Sequence, residues 1–338
     1  MTKRAVFALT AQGAKLARSL GSGLPADVYL PQNLSGPGES SFFHLKDAVH
    51  QAWTAYTQLI FIAASGIVVR TIAPMLQGKD RDPAVVVLDQ KGHFAVSLIS
   101  GHLGGANDLA REVAALTQGE AVITTATDCQ GLTAIDQIAR NLDMLPEPVT
   151  AIQRINTALL ENRQVHILDP EDRLGWGDSL PSGYVPVKNS ADSGPLVEVS
   201  WQADSFSRAD LILHPRCLVA GMGCNTLTSS REILELIHSV FAQNNLAMAS
   251  LKCLVSTSKK AEEPGLQQAA RQLGVEFICI SHHQLQNVIV PNPSTTVHKH
   301  MGVSSICEAT AILHTNYNRL LVPKTKSTNA TLAVALLP

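Results

Sequence analysis

The densest group of residues able to do chemistry is the segment Ser97-Leu-Ile-Ser-Gly-His-Leu-Gly-Gly-Ala-Asn-Asp108. It runs from an apolar strand through a glycine-rich turn into a helix. Glycine lets a ligand approach the main chain closely, and free N–H groups at a helix start favour an anion. His102 stands in this turn at the carboxyl end of its strand, where α/β proteins build ligand sites. The pattern equally fits a tight strand–helix connection whose histidine bonds to the backbone.

Two more groups in the first half follow apolar runs. In Gly66-Ile-Val-Val-Arg70, Arg70 directly follows a predicted strand, and its guanidinium suits a carboxylate. In Ile123-Thr-Thr-Ala-Thr-Asp128, Thr125 and Asp128 offer a hydroxyl and a carboxylate that would position a water or a substrate oxygen. Thr and Asp are also ordinary turn and capping residues, and the spacing alone favours that interpretation.

In the last third, Ala220-Gly-Met-Gly-Cys-Asn225 joins a predicted strand, Leu218–Ala220, to a helix start. Gly221, Gly223 and Cys224 are therefore expected in a second glycine turn that would cradle an anion. A helix is predicted after it, because Ser229 and Glu232 have capping-box spacing. The buried face of that helix would consist of Ile233, Leu236, Ile237, Val240 and Phe241.

Three charged residues near the end have simple structural roles available to them. Glu308 occupies the third position of a capping box that starts at Ser305. Lys324 and Lys326 follow a predicted strand, Leu320–Val322, where an isolated charge cluster is usually solvated. None of the three is a site by spacing alone.

The sequence holds no recognisable metal or nucleophile signature. Six cysteines are scattered without a CxxC pair, so a cysteine-based metal site is not expected. His282, His283, His298 and His300 lack carboxylates or cysteines at useful spacing, which favours a loop over a metal site. There is also no G-x-S-x-G elbow, no G-x-G-x-x-G fingerprint and no Walker spacing.

Composition narrows the functional class. Of 338 residues, 45% are hydrophobic and 16% charged, and the formal net charge is −2. Without a basic stripe the chain is not expected to bind nucleic acid. No apolar run reaches about 18 residues, and no leader is apparent, so we expect a cytoplasmic protein without a membrane span.

The fold class follows from alternating strands and helices. Runs rich in Val, Ile and Leu, separated by amphipathic stretches, predict an α/β protein of two or three domains with mainly parallel sheets flanked by helices. One hairpin is expected across Asp89–Gly92, between Ala84–Leu88 and Phe94–Ile99. The predicted segments are an amino-terminal α/β domain (1–130), a middle segment (131–216) and a carboxy-terminal α/β domain (217–338). His214-Pro-Arg-Cys217 is interpreted as the linker before the last domain.

Taken together, these motifs resemble the cobalt-precorrin-5A hydrolase family of anaerobic cobalamin biosynthesis. The resemblance extends from about residue 45 to the end of the chain. It is carried by the following segments: Gly66–Arg70, Asp82–Asp89, Ser100–Asn107, Thr124–Asp128, Ala220–Asn225, Ser305–Ala309 and Val322–Ser327. Where that family usually continues its second glycine motif with a basic residue and Gly-Thr, this chain has Asn225-Thr-Leu-Thr228.

The resemblance implies a hydrolase that cleaves a carbon–carbon bond. Water would open the δ-lactone on the ring A acetate of a cobalt corrinoid, and the bridge carbon would leave as acetaldehyde. The implied product is cobalt-precorrin-5B. No cofactor of the enzyme's own is expected, because the cobalt belongs to the substrate, and a homodimer is left open.

The resemblance also allows roles to be assigned. His102 is the hypothesised general base, with a titration range near neutral pH, and Glu308 is the alternative base. Substrate-binding roles are expected for Arg70, Gly104, Gly105, Asn107, Thr125, Asp128, Gly221, Gly223, Cys224, Lys324 and Lys326. The competing hypotheses are a corrinoid carrier without catalysis and a nucleotide-binding regulator.

Overall fold

The computed structural model describes residues 3–78, 81–177, 180–188, 194–204, 208–286, 288–293, 305–317 and 319–338. Within these ranges the strands form three sheets, of seven, five and five strands. The chain divides into two compact units, each taken here by itself. The first comprises Met1–Asn141, Val149–Val165 and Ser179–Tyr184; the second comprises Leu142–Pro148, His166–Asp178 and Val185–Pro338.

The seven-stranded sheet has the order β3-β2-β1-β4-β5-β6-β7. Its strands are β1 Arg4–Ala8, β2 Ala26–Pro31, β3 Ser40–Phe42, β4 Gln58–Ile62, β5 Ala84–Leu88, β6 Phe94–Ile99 and β7 Glu120–Val122. The first four helices are α1 Ala11–Gly23, α2 Leu45–Ala55, α3 Ser65–Ile72 and α4 Ala106–Thr117. Strands β4 and β5 are buried along their whole length, which accounts for their continuous apolar runs.

Helices cover both faces of this sheet. On one face, α1 and α4 pack against side chains such as Val6 and Ile60. On the other, α2 and α3 pack against the alternate residues, such as Phe7 and Phe61. Because successive side chains of a strand point to opposite faces, each buried strand contributes to two cores.

The direction of the sheet reverses once, at the predicted hairpin. Strands β1 to β5 run parallel, whereas β6 pairs antiparallel with β5 and parallel with β7. The hairpin turn forms because the Asp89 carboxylate accepts hydrogen bonds from the Lys91 and Phe94 amides, both at 2.8 Å. As a result, β6 and β7 end at the sheet edge where β1, β4 and β5 begin.

The second sheet has the order β10-β9-β11-β12-β8. Its strands are β8 Met144–Glu147, β9 Val165–Leu168, β10 Tyr184–Pro186, β11 Leu196–Val199 and β12 Leu211–Pro215, and the helices before and between them are α5 Ala126–Cys129, α6 Ile135–Asn141 and α7 Ala151–Leu160. The linker predicted at His214–Cys217 is too long at its start, because only Arg216 and Cys217 lie between β12 and β13. His214 is buried in β12, opposite Leu145 of β8, because the strand continues to Pro215 before the chain turns.

The third sheet has the order β15-β14-β13-β17-β16. Its strands are β13 Leu218–Cys224, β14 Leu251–Thr257, β15 Glu276–Ile280, β16 Leu320–Lys326 and β17 Ala330–Leu336; its helices are α8 Ser230–Gln243, α9 Pro264–Leu273, α10 His282–Leu285 and α11 Ile306–Thr315. Ser229 caps α8, and the five residues predicted for its buried face are all buried.

The α/β class, with mainly parallel sheets flanked by helices, is therefore confirmed. The division at residues 130 and 216 stays a prediction. In the part of the chain that the structure describes, no helix is long and apolar enough to cross a bilayer.

Candidate active site

His102 lies in the loop that joins β6 to α4, and this loop folds tightly back on itself. The Ala106 amide donates to the Ser100 carbonyl, and the Gly105 amide donates to the carbonyl of His102. Gly105 has φ +87° and is the N-cap of α4, with no side-chain capping bond. The Gly105 N–H, which was predicted to bind substrate, is therefore already used within the loop.

Neither Gly104 nor Gly105, the two glycines before α4, has room for a side chain. A Cβ on Gly104 would lie 2.5 Å from Cβ of Ser100. A Cβ on Gly105 would collide with the guanidinium of Arg140, which also pairs with Asp108. These glycines therefore allow a close backbone turn and make room for an arginine from α6.

The imidazole of His102 lies between two carboxylates. Its Nε2 is 2.8 Å from Oδ2 of Asp128, and its Nδ1 is 3.4 Å from Oδ1 of Asp136. Burial, the largest single influence, lowers the pKa of His102, but hydrogen bonding and charge from Asp136 and Asp128 outweigh it and raise the pKa above its usual value. His102 is therefore a partly buried group whose surroundings favour the cation.

Asp128 is the centre of the hydrogen-bond network. Besides His102, its carboxylate accepts from Oγ1 of Thr125 at 2.6 Å, Nδ2 of Asn107 at 2.9 Å and the Arg111 guanidinium at 2.5 Å. Burial raises the pKa of Asp128, but the hydrogen bonds from Thr125, His102 and Arg111 outweigh it and lower that pKa below its ordinary value. Asp128 stays ionised and fixes the ring of His102 in place.

Asn107, expected to bind substrate, holds the hydrogen-bond network together from inside the helix. It lies inside the first turn of α4, is 2% exposed and accepts a 2.7 Å hydrogen bond from Ser97 Oγ through its amide oxygen. Its amide nitrogen donates to both Thr125 and Asp128. Four residues singled out from the sequence therefore meet here: His102, Asn107, Thr125 and Asp128.

Asp136 belongs to this cluster, and sequence reasoning missed it. It is 4% exposed in α6, and its carboxylate accepts from Nδ2 of Asn156 at 2.9 Å. Burial raises the pKa of Asp136, but hydrogen bonds from His102 and Asn156 lower it overall. The sequence signal that could have found Asp136 is a carboxylate placed between two apolar residues, Ile135 and Ile138, which are both buried in α6.

Arg70 lies apart from the cluster around His102, although the sequence predicted it as part of the same substrate-binding set. The segment predicted as a strand is helix α3, which begins beyond the carboxyl end of β4, and Arg70 is exposed on it. That edge of the sheet has an apolar pocket of about 590 Å³ whose lining includes Leu9, Thr10, Ile62, Ala63, Ile67 and Phe94. Because the β5–β6 hairpin reverses the chain, His102 lies at the opposite edge.

The second glycine motif is strand and not turn. Gly221, Gly223 and Cys224 belong to β13 and pair with Ala333, Thr331 and Ala330 of β17. The strand predicted to end at Ala220 therefore continues for four more residues. A Cβ on Gly221 would collide with the carbonyl of Cys307, so this glycine lets α11 pack closely on the sheet.

Glu308 is fully buried in the second unit, and both its oxygens have donors. Oε1 accepts from the Lys324 amide and from Nδ2 of Asn292, and Oε2 accepts from the Asn292 amide. The side chain of Ser305 makes no capping bond, so the predicted capping box does not form. Lys324 Nζ donates to the Asn292 carbonyl at 2.6 Å, whereas Lys326 is exposed at the end of β16.

No group of three or more metal-ligating side chains is found among the described residues. His282 and His283 begin α10, whereas His298 and His300 of the predicted histidine loop lie outside the described residues.

Comparison with known proteins identifies the class. Three family models match consecutive segments of the chain. They are "Cobalamin synthesis G N-terminal" over residues 47–128, "Cobalamin biosynthesis central region" over 133–215, and "Cobalamin synthesis G C-terminus" over 218–335. Together they cover most of the chain. His102 and Asp128 fall within the first model and Asp136 within the second.

The relatives narrow the class further. The cobalt-precorrin-5A hydrolase of Priestia megaterium is 31% identical, covering 99% of this chain and 95% of that protein. The cobalt-precorrin-5A hydrolase of Salmonella typhimurium is 34% identical over 89% of each. A crystal structure of a cobalamin biosynthesis protein G homologue from Sulfolobus solfataricus covers 99% of this chain and 97% of that chain, at 20% identity and a TM-score of 0.40, and the assignment does not rest on it. The chain belongs to the cobalt-precorrin-5A hydrolase family.

Proposed function

We propose that this chain hydrolyses cobalt-precorrin-5A to cobalt-precorrin-5B in anaerobic cobalamin biosynthesis. Water opens the lactone on the ring A acetate, and the bridge carbon leaves with its methyl group as acetaldehyde. The proposal is supported by the two hydrolases that match this chain nearly end to end. The carrier alternative has no comparable support.

The observation that carries the proposal is the His102 cluster. Lactone hydrolysis needs proton transfer to or from the reacting oxygens, and a positioned histidine contributes typically about 100- to 10,000-fold in rate. His102 is held by Asp128 at 2.8 Å, and that carboxylate is itself fixed by Asn107 and Thr125. A histidine ordered by two layers of hydrogen bonds is what such a step requires.

The remaining parts of the proposal concern partners and place. The substrate is a cobalt corrinoid that brings its own metal, so the enzyme needs no cofactor of its own. Its rim carboxylates call for cationic partners on the chain, and Arg70 in the first unit and Lys324 and Lys326 in the second stay predictions, each for its own unit. The reaction takes place in the cytoplasm, without nucleic acid, and a homodimer stays a prediction.

The test is anaerobic incubation of the purified chain with cobalt-precorrin-5A, followed by an acetaldehyde assay. We expect acetaldehyde release by the wild type and a loss of about 100-fold or more in His102→Ala. His50→Ala, which removes an exposed histidine of the same unit, is the matched control and should keep the wild-type rate. Tight binding of the corrinoid without acetaldehyde would identify a carrier and refute the hydrolase.

The role of Glu308 is tested in the same assay. Glu308→Gln keeps the size of the side chain and removes its charge. Lost acetaldehyde release at an unchanged melting temperature would support the base role, whereas a lower melting temperature would support the structural role that its three hydrogen bonds favour.

A further inference from the structure

We propose that Asp136 is a positioning residue of the reaction: it faces Nδ1 of His102 and, together with Asp128 on Nε2, keeps the imidazole doubly protonated, so that His102 enters the reaction as a proton donor. This inference rests on the proposed function, because it names the first proton transfer of that hydrolysis. Asp136 comes from α6, beyond the motif that carries His102.

The geometry around the two ring nitrogens carries the inference. An ionised carboxylate only accepts hydrogen bonds, and a neutral imidazole has one N–H and one lone pair. A neutral His102 would therefore point a lone pair at either Asp128 or Asp136, whereas the imidazolium donates toward both. The 2.8 Å bond at Nε2 is of ordinary length and orients the ring, while the 3.4 Å contact at Nδ1 is longer than a usual hydrogen bond. The Nδ1 proton is therefore the more available of the two.

The surrounding charges support the same protonation state. Among the described residues, the charged groups that face the ring are Asp128 of α5 and Asp136 of α6, and the Arg111 guanidinium of α4 lies on the far oxygen of Asp128. Burial opposes a charged ring, but the two carboxylates outweigh it and the pKa of His102 is raised. The pKa of Asp136 is lowered in return, because burial is outweighed by its contact with His102 and its hydrogen bond from Asn156.

The proton transfers balance over the two steps of the reaction. Water adds to the lactone carbonyl and loses one of its protons to solvent. The ring C–O bond breaks with its electron pair on the alkoxide oxygen, which takes the Nδ1 proton of His102. The new carboxylic acid releases the remaining proton of the water to solvent. The neutral imidazole then accepts the hydroxyl proton as the aldehyde forms, and the electron pair of the broken C–C bond enters the conjugated macrocycle. His102 is thus an acid first and a base second.

The first experiment measures the protonation of His102 without any substrate. Histidine rings are labelled with ¹⁵N, and the His102 signal is assigned by its disappearance in His102→Gln. We expect the wild-type midpoint above 6.5, the ordinary value, and a fall of about 1 to 2 pH units in Asp136→Asn. Asp47→Asn, an exposed carboxylate in the first turn of α2, is the matched control and should leave the midpoint unchanged.

Two results would overturn the proposal: a wild-type midpoint below 6.5, or a His102 midpoint that is the same in Asp136→Asn and the wild type. The wild-type measurement stands even if the variant does not fold.

The second experiment follows single-turnover acetaldehyde release between about pH 5 and 9. If His102 acts first as an acid, the wild-type rate falls as the pH rises through its titration, and in Asp136→Asn this fall occurs at lower pH. A merely structural Asp136 would reduce the rate by the same factor at every pH, which contradicts the proposal. If the wild type releases no acetaldehyde at all, the proposed function fails, while the ring titration is judged independently.

Discussion

At the scale of single residues, His102 couples the stability of the fold to pH. Its pKa is raised in the folded chain, so the folded state binds a proton more tightly than the unfolded chain does. A group of this kind stabilises the fold fully below its unfolded pKa and loses that contribution as the pH rises through the folded pKa. Asp128 and Asp136 have lowered pKa values and act in the opposite range: their contribution is present above the ordinary value of 3.8 and is lost as the pH falls through their folded pKa values.

Comparing the wild type with His102→Gln across pH tests this coupling. We expect the wild type to have the higher melting temperature, with the largest difference between about pH 5 and 6.5 and a smaller one at higher pH. The exposed His50→Gln serves as the control and should differ little from the wild type. A difference between wild type and His102→Gln that grows as the pH rises would contradict the raised pKa.

The sequence predicted part of this cluster, and the limits are physical. His102, Asn107, Thr125 and Asp128 were singled out because each follows a strand, and parallel strands β6 and β7 end side by side. Asp136 reaches the same point from a helix, and no local spacing connects it to His102. Arg70 was grouped with them on the same strand-end argument, which fails because the hairpin reverses the sheet.

At the scale of elements, the packing of α11 on β13 depends on glycine. The absence of a Cβ at Gly221 leaves room for the carbonyl of Cys307, and Gly223 would place a Cβ 2.7 Å from Oγ1 of Thr331. The sequence indicated a ligand cradle here because glycines beside a predicted helix start fit one. The structure uses them for a close approach of helix to sheet.

Gly221→Ala should therefore destabilise the protein. We expect a loss of about 1 to 3 kcal/mol in the free energy of unfolding, because the added methyl group forces α11 away from β13. Urea unfolding of the wild type and the variant measures this change in the free energy of unfolding. Gly36→Ala is the matched control, since its Cβ would meet only Glu39 Oε2, at 3.6 Å, and should change stability by less than about 0.5 kcal/mol. Equal midpoints for both variants would disprove the close-packing role.

Three of the strands that sequence patterns missed, β2, β3 and β17, have a weak sequence signal. β17 is buried but rich in alanine, which has a low preference for strands. β2 alternates poorly between buried and exposed residues, and β3 has three residues. The apolar β5 and β6, by contrast, have the predicted bounds Ala84–Leu88 and Phe94–Ile99.

At the scale of the whole molecule, the third sheet is built from one continuous stretch of chain. All its strands lie between residues 218 and 336, and its buried cluster joins β13, β14 and β17 to α8 and α9. A fragment of residues 217–338 should therefore fold by itself. Far-ultraviolet circular dichroism and a cooperative urea transition would show this.

A shorter fragment, 217–317, provides the control. It lacks β17, which pairs with β13 along seven residues, so it should show no cooperative transition. If the longer fragment also unfolds without cooperativity, the third sheet needs the rest of the chain and the prediction is wrong.

The reversal at the β5–β6 hairpin also has an evolutionary consequence. It separates the His102 cluster from the apolar pocket near Phe94 by the length of a five-residue strand, about 17 Å. Substitutions that far apart, without shared partners, usually act additively. Selection can therefore reshape the pocket end of the sheet, or leave it to drift, while the chemistry around His102 is preserved.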